Sequence, residues 1–92
     1  MTSLTEGSVP RLPRHVKFRF DRSREAWVVL APERVLMPDE IAVEILKRCD
    51  GAASIGAMID DLARTFEADR SVVQTDVLAM LQDLADKGII VT

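Results

Sequence analysis

The residue types that most often carry catalysis are scarce in this sequence. It holds one cysteine, Cys49, one histidine, His15, and no tyrosine. Nucleophilic and acid–base catalysis need such groups held in a defined constellation. His15 stands without candidate partners at the start of a predicted strand, and Cys49 falls on the apolar stripe of a predicted helix, where a thiol behaves as a small hydrophobe. We therefore expect no enzyme activity and no catalytic residue.

Metal and cofactor chemistry is equally poorly supported. One cysteine and one histidine supply no ligand set for zinc or an iron–sulfur cluster, and a lone cysteine forms no internal disulfide. The glycines, at positions 7, 51, 56 and 88, are too scattered for a phosphate-binding loop. The prediction is a protein with no metal site and no cofactor.

The charges are distributed unevenly along the chain. The formal net charge is -3, but the stretch from Arg11 to Arg24 is strongly basic and is opposed within it by Asp21, whereas acidic residues dominate after Gly51. Charges also interrupt the first thirty residues too often for an export signal or a membrane span. We expect a cytoplasmic protein that does not bind membranes.

The first part of the chain predicts a flexible segment followed by strands. Residues 1–10 have little apolar periodicity and are expected to form a flexible tail or a linker. From Val16 apolar and polar residues alternate, and Ala26–Ala31 forms a second run, so a hairpin is expected. Arg34–Met37, between two prolines, predicts a brief third strand at the edge of the sheet.

Three helices are predicted after the strands. Asp39, Ser54 and Asp69 are expected N-caps, and Gly51 and Gly88 are expected stops after the first and third helices. In the third helix Val73, Val77, Met80, Leu81 and Leu84 should face inward. The predicted fold is α+β, a winged helix-turn-helix-like domain with a three-stranded antiparallel sheet followed by three helices, over residues 11–92.

Two functions are compatible with that fold. A winged-helix regulator that binds DNA would read the major groove with its third helix, but this helix carries four aspartates and would repel phosphates. A short edge strand beside an amphipathic helix, in contrast, accepts an added strand from a peptide. Trp27 either covers one flank of the sheet or contacts a partner, and the basic first strand is at least in part a solvated face that discourages aggregation.

The sequence resembles the PqqD family. The resemblance rests on Pro10-Arg11-Leu12-Pro13-Arg14, Phe20-Asp21, the run from Trp27 to Leu36 with its Leu-Ala-Pro-Glu-Arg segment, Ile45-Leu46, Cys49-Asp50-Gly51, and Val77 to Leu81 with Leu84, Lys87 and Gly88. It implies a peptide chaperone of pyrroloquinoline quinone biosynthesis, a recognition element for ribosomally made, modified peptides. In that family the domain binds the precursor peptide PqqA and presents it to the radical SAM enzyme PqqE.

The resemblance also implies where the peptide binds. It adds along the third strand, Arg34, Val35, Leu36 and Met37, and rests against the third helix. The expected helix contacts are Gln74, Leu78, Leu81, Gln82 and Ala85. The iron–sulfur chemistry would belong to the partner enzyme. We expect a monomer that does not bind nucleic acid, with a strand-swapped dimer as the alternative state.

Overall fold

A three-stranded sheet precedes three helices in this chain. The structure is a computed structural model that describes residues 3–92. Its elements are β1 (Lys17–Asp21), β2 (Ala26–Ala31), β3 (Arg34–Leu36), α1 (Glu40–Lys47), α2 (Ile55–Thr65) and α3 (Arg70–Asp86). The strands lie in the order β1-β2-β3, and both pairs are antiparallel. The predicted fold class is confirmed, with β3 ending one residue earlier than expected.

An aromatic cluster closes the first hairpin on one side. In the β1–β2 register Phe20 lies opposite Trp27, and the Trp27 ring stacks on Phe18 with centroids 4.7 Å apart. The ammonium group of Lys47, at the end of α1, lies 5.1 Å from the centroid of the Trp27 ring. Trp27 therefore covers one flank of the sheet, as one of its two predicted roles required.

The three predicted N-caps are present. The carboxylate of Asp39 accepts a hydrogen bond from the Ala42 amide at 2.8 Å, and the Asp69 carboxylate accepts one from the Ser71 amide at 2.9 Å. The Ser54 hydroxyl accepts one from the Ala57 amide at 3.1 Å. These bonds satisfy amides in the first turn of each helix and fix where each helix begins.

The helix ends agree less closely with the prediction. Gly88, with a φ of 75°, follows α3 as expected. Helix α1, however, ends at Lys47, because the Arg48 and Cys49 amides bond three residues back to Ile45 and Leu46 and tighten the last turn. Gly51, with a φ of 77°, lies in the turn that follows. In the described residues no helix is long and apolar enough to cross a membrane.

One core joins all the elements. Leu81 of α3 is 0% exposed, and Val77 and Leu84 are buried on the same side of that helix. Their buried partners come from the sheet, from α1, from α2 and from the chain after α3: Val29, Ile45, Leu46, Ile55, Met58, Ile59, Leu62, Ile89 and Ile90. Burial of this stripe determines how α3 is rotated about its axis, and so which of its other residues remain outside.

The N-terminal strap, residues 3–10, is hydrogen-bonded to the helices. The Leu4 amide donates to the side chain of Gln82 at 3.1 Å, and the Gly56 amide donates to the Glu6 carbonyl at 2.8 Å. The Ile55 amide donates to the Ser8 carbonyl at 2.9 Å, and Pro10 is fully buried. A flexible tail or linker over residues 1–10 stays a prediction; the structure describes the contacts of residues 3–10, and residues 1–2 lie outside the described part of the chain.

Glu6 anchors the middle of the strap. Its carboxylate accepts hydrogen bonds from the Arg70 guanidinium, the shorter at 2.6 Å, and from the Gln74 side-chain amide. The hydrogen bond from Arg70 lowers the pKa of Glu6, and Asp60 holds the same guanidinium from α2. These bonds satisfy the polar groups of a segment that has few apolar side chains of its own.

The position of the strap predicts that a methyl group added at Gly56 disturbs it. A Cβ added at Gly56 would lie 3.1 Å from a Glu6 carboxylate oxygen and 3.3 Å from its carbonyl oxygen. We expect Gly56→Ala to push the strap away and to speed amide hydrogen exchange at Leu4 and at position 56, even though alanine has the better helix propensity.

Gly7→Ala is the matched control, since a Cβ there meets nothing closer than the Thr5 hydroxyl at 3.8 Å. It should leave both exchange rates unchanged. Equal exchange rates in Gly56→Ala and in the unsubstituted chain would contradict the placement of the strap.

Candidate functional site

The β2–β3 turn determines which backbone groups of β3 remain unpaired. Pro32 and Glu33 form a two-residue connection, with Ala31 opposite Arg34. Proline at the first central position and a positive φ of 65° at Glu33 are the signature of a type II turn, in which the flanking residues are hydrogen bonded. The next pair, Leu30 and Val35, is then a non-hydrogen-bonded pair, because the two kinds of pair alternate along an antiparallel ladder.

Val35 consequently presents its backbone to the outside of the sheet. Its N–H and C=O point away from β2, and β3 is an edge strand with no further strand beside it in the described residues. The side chains of Val35 and Met37 are exposed, and Arg34 is exposed as well. The side chain of Leu36 packs against the core instead. The edge thus offers one outward donor and acceptor between exposed side chains.

An apolar groove begins where β3 ends. We call it the α1–α3 groove; it consists of two adjoining cavities between the start of α1 and one side of α3. The smaller, of about 150 Å³, is lined by Ile41, Leu62, Phe66, Ala68, Val72, Val73, Asp76 and Val77. The larger and more open one, of about 480 Å³, is lined by Asp39, Ile41, Asp76, Ala79, Met80 and Asp83. Ile41 and Asp76 line both cavities, so the two adjoin at these residues.

The groove exposes apolar surface that folding normally buries. Ile41 is 59% exposed and Val72 is 57% exposed, and Phe66 beside them is exposed to a similar degree. Together with Val35 and Met37 they account for most of the large exposed apolar side chains of the described chain. Exposed large apolar side chains around a groove are typical of a binding surface.

The structure separates the predicted helix contacts from this groove. Gln74 and Gln82 are bonded to the N-terminal strap, and Leu78 and Ala85 are partly buried against the core. Leu81 is fully buried and offers no surface to a ligand. With about 3.6 residues per turn, these positions lie on the strap side of α3 and toward the core, whereas Val72, Asp76, Ala79 and Asp83 lie on the other side.

The groove residues of α3 and α1 were not identified from the sequence as contacts. Met80 has the position of a core residue in the apolar pattern, and it is in fact partly buried at the edge of the groove. Ile41 belongs to the same helical pattern as the buried Ile45, but it lies in the first turn of α1, beyond the reach of the core. The sequence would have indicated that Ile41 faces outward only if the apolar stripe of α1 had been narrow enough to leave this residue out.

Cys49 and the acidic residues form no reactive centre in the described residues. The Cys49 thiol is buried, donates to the Ile45 carbonyl at 3.4 Å, and has its pKa raised to about 12 by burial. Within residues 3–92 no three His, Cys, Asp or Glu side chains converge as a metal-binding group.

A family model and a curated relative point to the same protein family. Residues 26–90 match the family model described as coenzyme PQQ synthesis protein D (PqqD). A Rhodopseudomonas palustris (strain BisB5) protein named "PqqA binding protein" is 64% identical over 86 residues, which cover 94% of this chain and 84% of the relative.

Two solved structures resemble this one. An NMR structure of the PqqD truncation of Methylobacterium extorquens PqqCD, described as a functional and stand-alone recognition element for ribosomally synthesized, modified peptides, has a TM-score of 0.81 and is 39% identical, covering 97% of this chain and 95% of that one. A crystal structure of PqqD from Xanthomonas campestris has a TM-score of 0.59 at 38% identity, covering 94% of this chain and 96% of that one.

The placement of Leu81 is testable by truncation. We expect Leu81→Ala to lower the free energy of unfolding by about 2–5 kcal/mol, because it leaves a cavity at a fully buried site. Met80→Ala, at the partly exposed neighbouring position, should cost less than half as much. Urea denaturation followed by circular dichroism measures both, and equal small losses would place Leu81 on the surface instead.

The burial of Cys49 predicts that its thiol reacts slowly with thiol reagents. At pH 8 a group with a pKa of about 12 holds about a thousandfold less thiolate than one with the ordinary value of 9.0. We expect a disulfide reagent such as Ellman's reagent to label the folded protein at least about a hundredfold more slowly than the protein unfolded in guanidinium. Comparable rates in the two states would contradict this burial.

Proposed function

The chain belongs to the PqqD family, and on that premise we propose that it binds the precursor peptide PqqA as an added strand and presents it to the radical SAM enzyme PqqE. The observation that carries the proposal is the outward-facing backbone of Val35 on an open edge strand, in a chain whose α1–α3 groove begins at Asp39. Backbone bonds along the edge would supply register and affinity, and the groove would select side chains.

The opposite edge of the sheet supports the choice of β3. The outer strand there is β1, which carries Lys17 and Arg19 on one face. Cations on an edge strand discourage the addition of another strand. The edge at β3 has Arg34 at its start, but its middle and end carry Val35, Leu36 and Met37. A peptide strand therefore meets less charge at β3 than at β1.

If the chain presents PqqA to PqqE, the chemistry belongs to PqqE. The buried Cys49 is a poor nucleophile, so the chain would contribute binding and orientation while PqqE modifies the peptide. The proposal keeps the cytoplasmic setting that the family resemblance implies. It also revises the helix contacts: the peptide side chains would rest on Ile41, Val72, Asp76, Ala79 and Met80 rather than on the positions that hold the strap.

A titration of isotope-labelled chain with synthetic PqqA tests the proposal. We expect saturable amide shifts at Arg34–Met37, at Ile41 and along the groove side of α3, with smaller shifts at Gln74 and Gln82 beneath the strap. Shifts confined to the strap side would favour the contacts inferred from the sequence. The absence of any saturable shift would overturn the proposal, and shifts with duplex DNA instead would indicate a regulator.

Val35 offers a sharper test of strand addition. Val35→Pro removes an N–H that points away from β2, so the β2–β3 ladder should survive, as proline is tolerated at such an edge position. We expect at least about a tenfold loss of PqqA affinity, equal to about 1.4 kcal/mol, from the missing bond and the ring beside the added strand.

Val35→Ala is the matched control, since it keeps the N–H and removes only side-chain contacts. It should bind at least severalfold more tightly than Val35→Pro, with both variants showing the circular dichroism spectrum of the unsubstituted chain. Equal affinities in the two variants would exclude a backbone bond at this position.

A further inference from the structure

We propose that Asp76 makes the groove selective for a basic side chain, so that the bound segment of the peptide combines an aliphatic residue with a lysine or arginine close to it. This inference rests on the proposed function and specifies the class of peptide. It derives from the charge and position of Asp76 within the groove rather than from the fold.

Asp76 stands at the junction of the two cavities. It lines the smaller apolar cavity together with Ile41 and Val72, and the larger one together with Ala79 and Asp83. An extended peptide that places an aliphatic side chain in the cavity of about 150 Å³ must therefore bring a neighbouring residue next to this carboxylate. The remaining question is which kind of side chain the carboxylate would accept.

The lining of the groove has one sign of charge. Its ionisable members are Asp39, Asp76 and Asp83, and no lysine or arginine is among the lining residues of either cavity. An acidic side chain of a peptide would meet only repulsion from these carboxylates, whereas a lysine or an arginine would be attracted. The N-terminus of α1, which would otherwise favour an anion, already has the Asp39 carboxylate accepting a hydrogen bond from the Ala42 amide at 2.8 Å.

Asp76 is the member of this group that is available for a ligand. Asp39 is engaged as the N-cap of α1, and the Asp83 carboxylate lies 2.8 Å from the Lys87 ammonium. Other helix carboxylates are paired within the fold, such as Asp60 with Arg70 and Asp61 with Arg48. Asp76 is exposed and has no ion pair or side-chain hydrogen bond with any residue of the described chain 3–92.

A double-mutant cycle tests the inference. The protein variants are Asp76→Asn and, as control, Asp86→Asn, which removes the same charge from the same helix outside the groove. The Asp86 carboxylate accepts a hydrogen bond from the Gln82 side chain at 3.1 Å, and the side-chain oxygen of an asparagine can keep that bond. The ligands are synthetic PqqA and versions in which each lysine or arginine is replaced, one at a time, by an uncharged side chain of similar length. Calorimetry gives the four affinities of each cycle.

We expect Asp76→Asn to weaken PqqA binding about two- to fivefold, within the range of exposed ion pairs, and Asp86→Asn to leave it unchanged. One neutralised peptide position should cause the same loss with the unsubstituted chain and no further loss with Asp76→Asn. Raising the salt concentration should reduce the difference between the two protein variants.

The possible failures are distinct. If PqqA binds but Asp76→Asn and Asp86→Asn are equal, or no peptide position couples to Asp76, the charge selectivity is overturned while the peptide-binding function stands. If PqqA does not bind the unsubstituted chain, both the inference and the proposed function fall. Circular dichroism of Asp76→Asn, an exposed substitution, confirms that a loss does not come from unfolding.

Discussion

The rotation of α3 about its own axis is the constraint on which the other surfaces depend. Leu81 is seated fully inside the core, with Val77 and Leu84 beside it, so α3 cannot turn without exposing that stripe. Burying one such side chain stabilises the fold by about 1.5–3 kcal/mol. Once this stripe is fixed, the Gln74 and Gln82 side must face the strap, and the Asp76 and Ala79 side must face the start of α1.

Local signals in the sequence predict the elements of this fold well. Alternation predicts the hairpin, and Asp39, Ser54 and Asp69 mark the helix starts because a side-chain oxygen caps amides two or three residues away. Contacts distant in sequence are harder to infer. The bond from Leu4 to Gln82 joins residues 78 positions apart, and Glu6 meets Arg70 across 64 positions. Nothing in the composition of residues 3–10 indicates such partners.

In the predicted site, too, the part that depends on local sequence was predicted better than the part that depends on distant contacts. β3 and its open edge follow from two prolines and a short apolar run, which are local features, and the structure places them as expected apart from the last residue. The helix side of the site depends on how the strap and α1 pack against α3. In the sequence pattern Leu78 lies beside the central apolar stripe of α3. Residues on the strap side and on the groove side of α3 both lie beside this stripe, so periodicity alone could not show which side faces a ligand.

The two edges of the sheet differ in a way that fits a domain with one docking direction. At β1 the basic hairpin has charged side chains and an aromatic cluster in which Lys47 lies over Trp27, so that edge is unfavourable for a further strand. At β3 a type II turn leaves the Val35 backbone unpaired, and the chain then continues directly into the first turn of α1, which forms one wall of the groove. Val35 and Ile41 lie close together in the chain, so one short stretch supplies both an unpaired backbone and a wall of the groove. Under the proposed function, backbone pairing at β3 and side-chain selection in the groove would act on the same peptide, and together they would make the binding sequence-selective.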